Sequence, residues 1–152
     1  TPTNKAFSGR IDPGFSSNLM SIMINPFVKF HGLEVFGTYE MSSGSAGLSN
    51  VLDSVDRSFS QISGSVVYRF LAEEQCYAGV RYNTVTGRLY GYTDDDGDVN
   101  VNRLQVAAGW FPTENLLLKL EYVDQKYDNF KTTDVRNGLE FKGVMVEASV
   151  GF

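Results

Sequence analysis

The sequence predicts an all-β chain laid out as an antiparallel up-and-down transmembrane β-barrel. Three observations predict it. Apolar and polar residues alternate with period two through seven long segments, tight turns alternate with long polar loops, and the apolar face ends in aromatic residues on both sides. Period two sends successive side chains to opposite faces of a strand. No segment carries a 3.6-residue apolar stripe, so no helix is expected.

Each segment reads the same way. In 18–30 the apolar face is Met20, Ile22, Ile24, Pro26, Val28 and Phe30, against Ser21, Asn25 and Lys29. In 33–41, Leu33, Val35, Gly37, Tyr39 and Met41 oppose Glu34, Thr38 and Glu40. In 59–70, Ile62, Gly64, Val66, Tyr68 and Phe70 oppose Gln61, Ser63, Ser65 and Arg69. In 75–85, Cys76, Ala78, Val80 and Tyr82 oppose Tyr77, Gly79, Arg81 and Asn83. In 101–111, Leu104, Val106, Ala108 and Trp110 oppose Arg103, Gln105 and Gly109; in 115–127, Leu116, Leu118, Leu120 and Tyr122 oppose Lys119, Glu121 and Gln125. The last segment sets Val144, Val146, Ala148, Val150 and Phe152 against Met145, Glu147, Ser149 and Gly151. Tight turns are expected at His31-Gly32, Ala72-Glu73-Glu74 and Pro112-Thr113-Glu114, and long loops at 42–58, 86–100 and 128–138. Short links at one end and long ones at the other give up-and-down topology.

Alternation alone does not say which solvent each face meets, because a soluble barrel gives the same period. The expected strands exceed the ~5–6 residues common in soluble proteins and match the ~9–11 that cross a bilayer at a tilt. Phe30, Tyr68, Phe70, Trp110 and Phe152 gather near the short-turn end, and Tyr39, Tyr82 and Tyr122 toward the long-loop end. Two aromatic girdles fit two membrane interfaces. A one-residue slip would turn Lys29, Arg69, Arg81, Arg103 and Lys119 toward lipid, at ~2–4 kcal/mol each near the midplane. The faces are therefore strongly specified.

Composition narrows the function. Thirteen Lys and Arg against 18 Asp and Glu leave a net charge of −5, which argues against nucleic acid. One cysteine (Cys76) and one histidine (His31) exclude an internal disulfide and any multi-His or Cys-based metal site. The chain begins at Thr1 without an initiator Met or a signal peptide, so a leading segment is expected to have been removed.

The ending Val144-x-Val146-x-Ala148-x-Val150-x-Phe152 resembles the terminal-strand signal of bacterial outer-membrane barrels. That resemblance implies recognition by the barrel-assembly machinery. More narrowly, three stretches look like the C-terminal half of porin-like outer-membrane proteins of Bacteroidota. They are Asn25-Pro26-Phe27-Val28-Lys29-Phe30-His31-Gly32-Leu33-Glu34, Gly109-Trp110-Phe111 with Glu121-Tyr122-Val123, and Asp134-Val135-Arg136-Asn137-Gly138. The likeness spans nearly all of residues 14–152.

Seven strands is an odd number, whereas bacterial single-chain barrels use even ones. Residues 1–17 are read as an extracellular loop or a weak extra strand (Phe7, Gly9 and Ile11 alternate before Asp12-Pro13-Gly14), and 18–152 as the barrel strands of one domain. The preferred account is the C-terminal part of a larger barrel; the alternative is a complete eight-stranded one.

The functional candidates are the inward charges Lys29, Glu34, Glu40, Arg69, Arg81, Arg103, Lys119, Glu121 and Glu147. In a wide barrel they line a wet pore; in a narrow one they pair into a plugged polar core. Their near balance predicts weak ion selectivity, with the acidic loops tilting the mouth toward cations. Asp94, Asp96 and Asp98 are weak Ca²⁺ candidates, since Gly97 misses the EF-hand position and no Glu closes the loop. A solvated acidic loop, or one bridging lipopolysaccharide phosphates through divalent ions, accounts for them as well. His31 sits in a two-residue turn, and a Ser-His-Asp hydrolase is disfavoured. No cofactor and no enzyme activity are expected.

The expected function is an outer-membrane porin passing small hydrophilic solutes, or else a non-conducting scaffold or subunit of a larger complex. The expected partners are outer-membrane lipid and lipopolysaccharide, the assembly machinery, and other outer-membrane proteins or further copies of the chain.

Overall fold

In a computed structural model, which describes residues 11, 13–15, 17–45, 56–89 and 91–151, the alternating segments pair with their chain neighbours into one antiparallel sheet. The strands are β1 (Ser17–Ile24), β2 (Phe27–Phe30), β3 (Leu33–Ser45), β4 (Asp56–Phe70), β5 (Cys76–Gly87), β6 (Val99–Thr113), β7 (Leu116–Asp128) and β8 (Glu140–Val150). Their order is β1-β3-β4-β5-β6-β7-β8, with β2 also on β3. Short 3₁₀ turns at Ala72–Glu74 and Asp94–Asp96 are the helical elements among the described residues.

The expected strand 18–30 is broken at Asn25-Pro26, and both halves pair with β3. Proline brings no N–H to a ladder and is confined to edge strands, and β1–β2 is such an edge. The break is shallow, because the Pro26 carbonyl still accepts the Gly37 N–H at 2.9 Å. Several strands run further toward the loop end than expected. β3 continues to Ser45 and β4 starts at Asp56, so the loop expected over 42–58 narrows to 46–55, outside the described residues. The candidate extra strand around Phe7 and Gly9, and the terminal Phe152, also lie outside them.

Turn chemistry sets the short links. His31 (φ 42°) and Gly32 (φ 78°) both occupy the left-handed region, as a type I′ hairpin turn requires. A side chain at position 32 would also meet the Arg69 carbonyl at 2.6 Å.

The sheet is open. Among the described residues β1 and β8 do not pair with each other. Six antiparallel steps separate the two edges, so β1 and β8 run in the same direction.

The two faces differ sharply. One face, called outer here, exposes Phe30, Val35, Tyr39, Ile62, Val66, Tyr68, Val80, Tyr82, Val106, Trp110, Leu120, Tyr122, Val144 and Val146. Val146 is 80% exposed, while Glu121 on the inner face is 6% exposed. The burial pattern of β4 alternates almost residue by residue from Ser63 to Phe70. The apolar band has an upper limit toward the loops, where Asp124 pairs with Lys142 (3.9 Å) and Glu140 pairs with Lys126 (3.5 Å) and Lys142 (3.0 Å). From Leu116 to Asp124 the chain of β7 rises about 26 Å, or about 20 Å at a barrel-like tilt.

Candidate functional site

The inner face is built from the odd-numbered residues of β4 to β8 and the even-numbered ones of β3. Pairing sets them in rows across the sheet. All nine inward charges named from the sequence fall on this face.

Nearest the short turns, carboxylates and cations interlock. Glu34 lies between Lys29 (3.2 Å) and Arg69 (3.0 Å), and Glu74 reaches the same two cations at 3.6 and 3.8 Å. In the neighbouring strands Lys119 pairs with Glu121 at 2.6 Å and with Glu147 at 3.8 Å, and the Gln105 amide donates to Glu121. The Tyr77 ring lies across Gly109, its cross-strand partner, where any side chain would collide with it. An aromatic ring laid over a cross-strand glycine fills the missing side-chain volume and pins the register. Phe59 covers Gly87 in the same way.

Two rows in the middle each carry one arginine and, among the described residues, no carboxylate. One runs Phe36, Ser65, Arg81, Gln105, Val123; the next runs Thr38, Ser63, Asn83, Arg103, Gln125. Arg103 donates to the Gln125 amide oxygen at 3.4 Å. A cavity of about 240 Å³ opens on the short-turn side of the Arg81 row, with Ser65, Val67, Tyr77, Gly79, Arg81, Gln105, Ala107, Lys119 and Glu121 in its wall.

Toward the loop end the inner face turns apolar. Phe59, Leu89, Val99, Val101, Tyr127 and Phe130 form a buried cluster, against which Ile11, Phe15, Val85, Tyr92 and Leu139 rest. Phe15 meets Phe59 edge-on at 6.1 Å, and Arg57 donates to the Gly14 carbonyl at 3.3 Å. The described residues before β1, Ile11 and 13–15, therefore lie over the inner face. Sequence reading missed this cluster, although its signal was present. Phe59, Val99, Val101 and Tyr127 all have inward parity, but Phe59, Val101 and Tyr127 are the end residues of the expected segments 59–70, 101–111 and 115–127, and Val99 falls in the expected loop 86–100.

The two long loops that are described clasp each other through Lys131. Its ammonium pairs with Asp96 at 3.0 Å, donates to the Gly91 carbonyl at 2.7 Å and lies 4.6 Å from the Tyr92 ring centre. Its backbone N–H donates to the Tyr92 hydroxyl at 3.0 Å. Asp96 also accepts from the Thr93 N–H and hydroxyl. These bonds, led by the Thr93 N–H, lower its pKa from 3.8 to about 2. The stretch Asp134-Val135-Arg136-Asn137-Gly138 forms a tight local turn. The Arg136 guanidinium forks onto Asp134 at 2.7 and 3.0 Å and lies over the Phe130 ring at 4.7 Å. That guanidinium holds the Asp134 carboxyl below its ordinary value, against the opposing effect of burial.

Of the three aspartates named from the sequence, the side chain of Asp94 lies outside the described ones, and Asp96 and Asp98 turn to separate cations, Asp96 to Lys131 and Asp98 to Arg88 at 3.3 Å. Among the described residues no three metal-ligating side chains converge. His31 stays in its exposed turn, with its ring edge-on to Phe30 at 4.0 Å. Val144, Val146, Ala148 and Val150 lie together on the outer face of β8, at the sheet edge.

Comparison with protein-family models, with characterised proteins and with solved structures gives no match. No helix among the described residues is long and apolar enough to cross a membrane, which leaves strand-crossing barrels untouched.

Proposed function

We propose that this chain is part of an outer-membrane β-barrel of porin type in a Gram-negative bacterium, passing small hydrophilic solutes along its inner face. One observation carries the reading: an unbroken apolar band on the outer face of every strand, backed by a polar and charged inner face. A soluble sheet would bury that band, since exposed apolar patches beyond a few hundred Å² are rare in soluble proteins. The aromatic groups near both ends of the band and the charged belt above it fit a bilayer with two interfaces. The likeness of three stretches to Bacteroidota porin-like proteins points the same way, and with it come lipid, lipopolysaccharide and the barrel-assembly machinery as partners.

On this reading the open sheet is an arc. Its two edges run in the same direction, so closing it with antiparallel ladders takes an odd number of further strands between β8 and β1. Reconstitution of the full-length gene product in planar bilayers tests the proposal. Stepwise conductance is expected, and a protein that partitions into the aqueous phase without detergent would exclude the membrane reading.

A second reading, a non-conducting scaffold within a larger outer-membrane assembly, draws on a specific feature. The apolar cluster and the clasped loops occupy the loop end of the inner face, where an open mouth would be wet. Insertion without conductance is its expected outcome.

A further inference from the structure

Resting on the pore reading, we propose that Arg81 and Arg103 form an anion-contacting station midway along the inner face, and that the passage selects small anions over cations. Total charge on this face is nearly balanced, but its distribution is not. The cations nearer the short turns are matched or outnumbered by carboxylates: Lys29 and Arg69 by Glu34 and Glu74, and Lys119 by Glu121 and Glu147, which leaves one surplus negative charge at that end. The two adjacent rows holding Arg81 and Arg103 contain no carboxylate among the described residues. Arg81 is exposed on the cavity and makes no ion pair or hydrogen bond among the described residues. Arg103 hydrogen-bonds only the neutral amide of Gln125 and acts on Glu121 at longer range, and its buried Nε has no hydrogen-bond partner; neither has the buried Oδ1 of Asn83 across the ladder from it.

Neighbouring carboxylates do not cancel the station. Glu121 is engaged by Lys119 and Gln105, while Glu40, one row nearer the loops, keeps its charge but stands on β3, three strands or about 14 Å from Arg103 on β6. The loop aspartates Asp96 and Asp98 are paired with Lys131 and Arg88. What remains is two guanidinium forks among serines and amides. That chemistry suits a halide or a solute carrying a carboxylate or phosphate, which a guanidinium holds through paired N–H donors.

The test is the reversal potential of the full-length protein in planar bilayers under a potassium chloride gradient. Two unit charges about 6 Å from the ion, partly screened by salt, give an anion preference of about tenfold. Arg81→Gln should lower it several-fold, and this variant leaves the fold intact because Arg81 has no partner to lose. Arg81→Gln with Arg103→Gln should bring the chloride-to-potassium ratio to about one. Conduction without anion preference, or preference that survives Arg81→Gln, overturns the station and leaves the pore standing. Insertion without any conductance overturns both.

Discussion

An arginine at position 146 reports which solvent the outer face meets. Val146 is 80% exposed and pairs across the ladder with Leu120, itself 53% exposed, near the middle of the apolar band. Nothing in the fold obstructs a longer side chain there. In water, Val146→Arg should therefore stay within about 0.5 kcal/mol of the parent. Against lipid near the midplane the same change costs about 2–4 kcal/mol, a shift of roughly 30- to 1000-fold in the folding equilibrium. The next residue is the control. Glu147→Arg lies on the inner face and gives up only a 3.8 Å contact to Lys119 and a hydrogen bond from Ser149, worth at most about 1 kcal/mol at an exposed site. Urea titration of folding into phosphatidylcholine vesicles, read by heat-dependent mobility on gels, measures both. Val146→Arg should fold far less well than Glu147→Arg. Equal effects, or the reverse order, would refute the assignment of faces.

Further predictions address the inner face and its loops. Gly109→Val should destabilise by about 1–3 kcal/mol, because the new side chain strikes the Tyr77 ring. Tyr77→Ala in the same chain should recover part of the loss in equilibrium unfolding, and a fully additive pair would remove the collision from the account. Lys131→Ala should raise amide exchange in residues 91–98 and 129–138 together, by roughly tenfold, since one side chain serves both loops. Exchange confined to one loop would dissolve the clasp. The Asp96 pKa of about 2 lies below the ordinary 3.8, so its contribution is complete above about pH 4 and is lost as the pH falls toward 2. Asp96→Asn should abolish that acid-dependent loosening of the loops.

Much of the sheet could be read from the chain because its two-residue period is imposed by two different environments. The alternation from Ile62 to Phe70, from Leu104 to Trp110 and from Leu116 to Tyr122 places these residues on one face wherever the ends of the strands fall. Strand ends were less legible. Ser42, Ser43 and Gly44 look like loop, yet they pair with Phe59, Ser58 and Arg57. Their ladder depends on a partner strand, which local propensity does not encode. The inward charges were visible by parity, but their pairing was not. Whether Arg69 meets Glu34, or Arg81 meets nothing, depends on cross-strand register. The apolar cluster behind Phe59 and Tyr127 was hidden for a related reason. Phe130, Leu89 and Phe15 come from loops and from the segment before β1, which carry no period to follow.

Pro26 has one more consequence. An unpaired strand edge is a template on which another chain can add a ladder. The edge formed by β1 and β2 is divided by Pro26 into lengths of eight and four residues, whereas β8 offers eleven without interruption. The two margins are thus unequal seeds. Misassembly of the separated chain should grow from β8 and stall at β1, so aggregates should protect Glu140–Val150 amides from exchange before those of Ser17–Ile24.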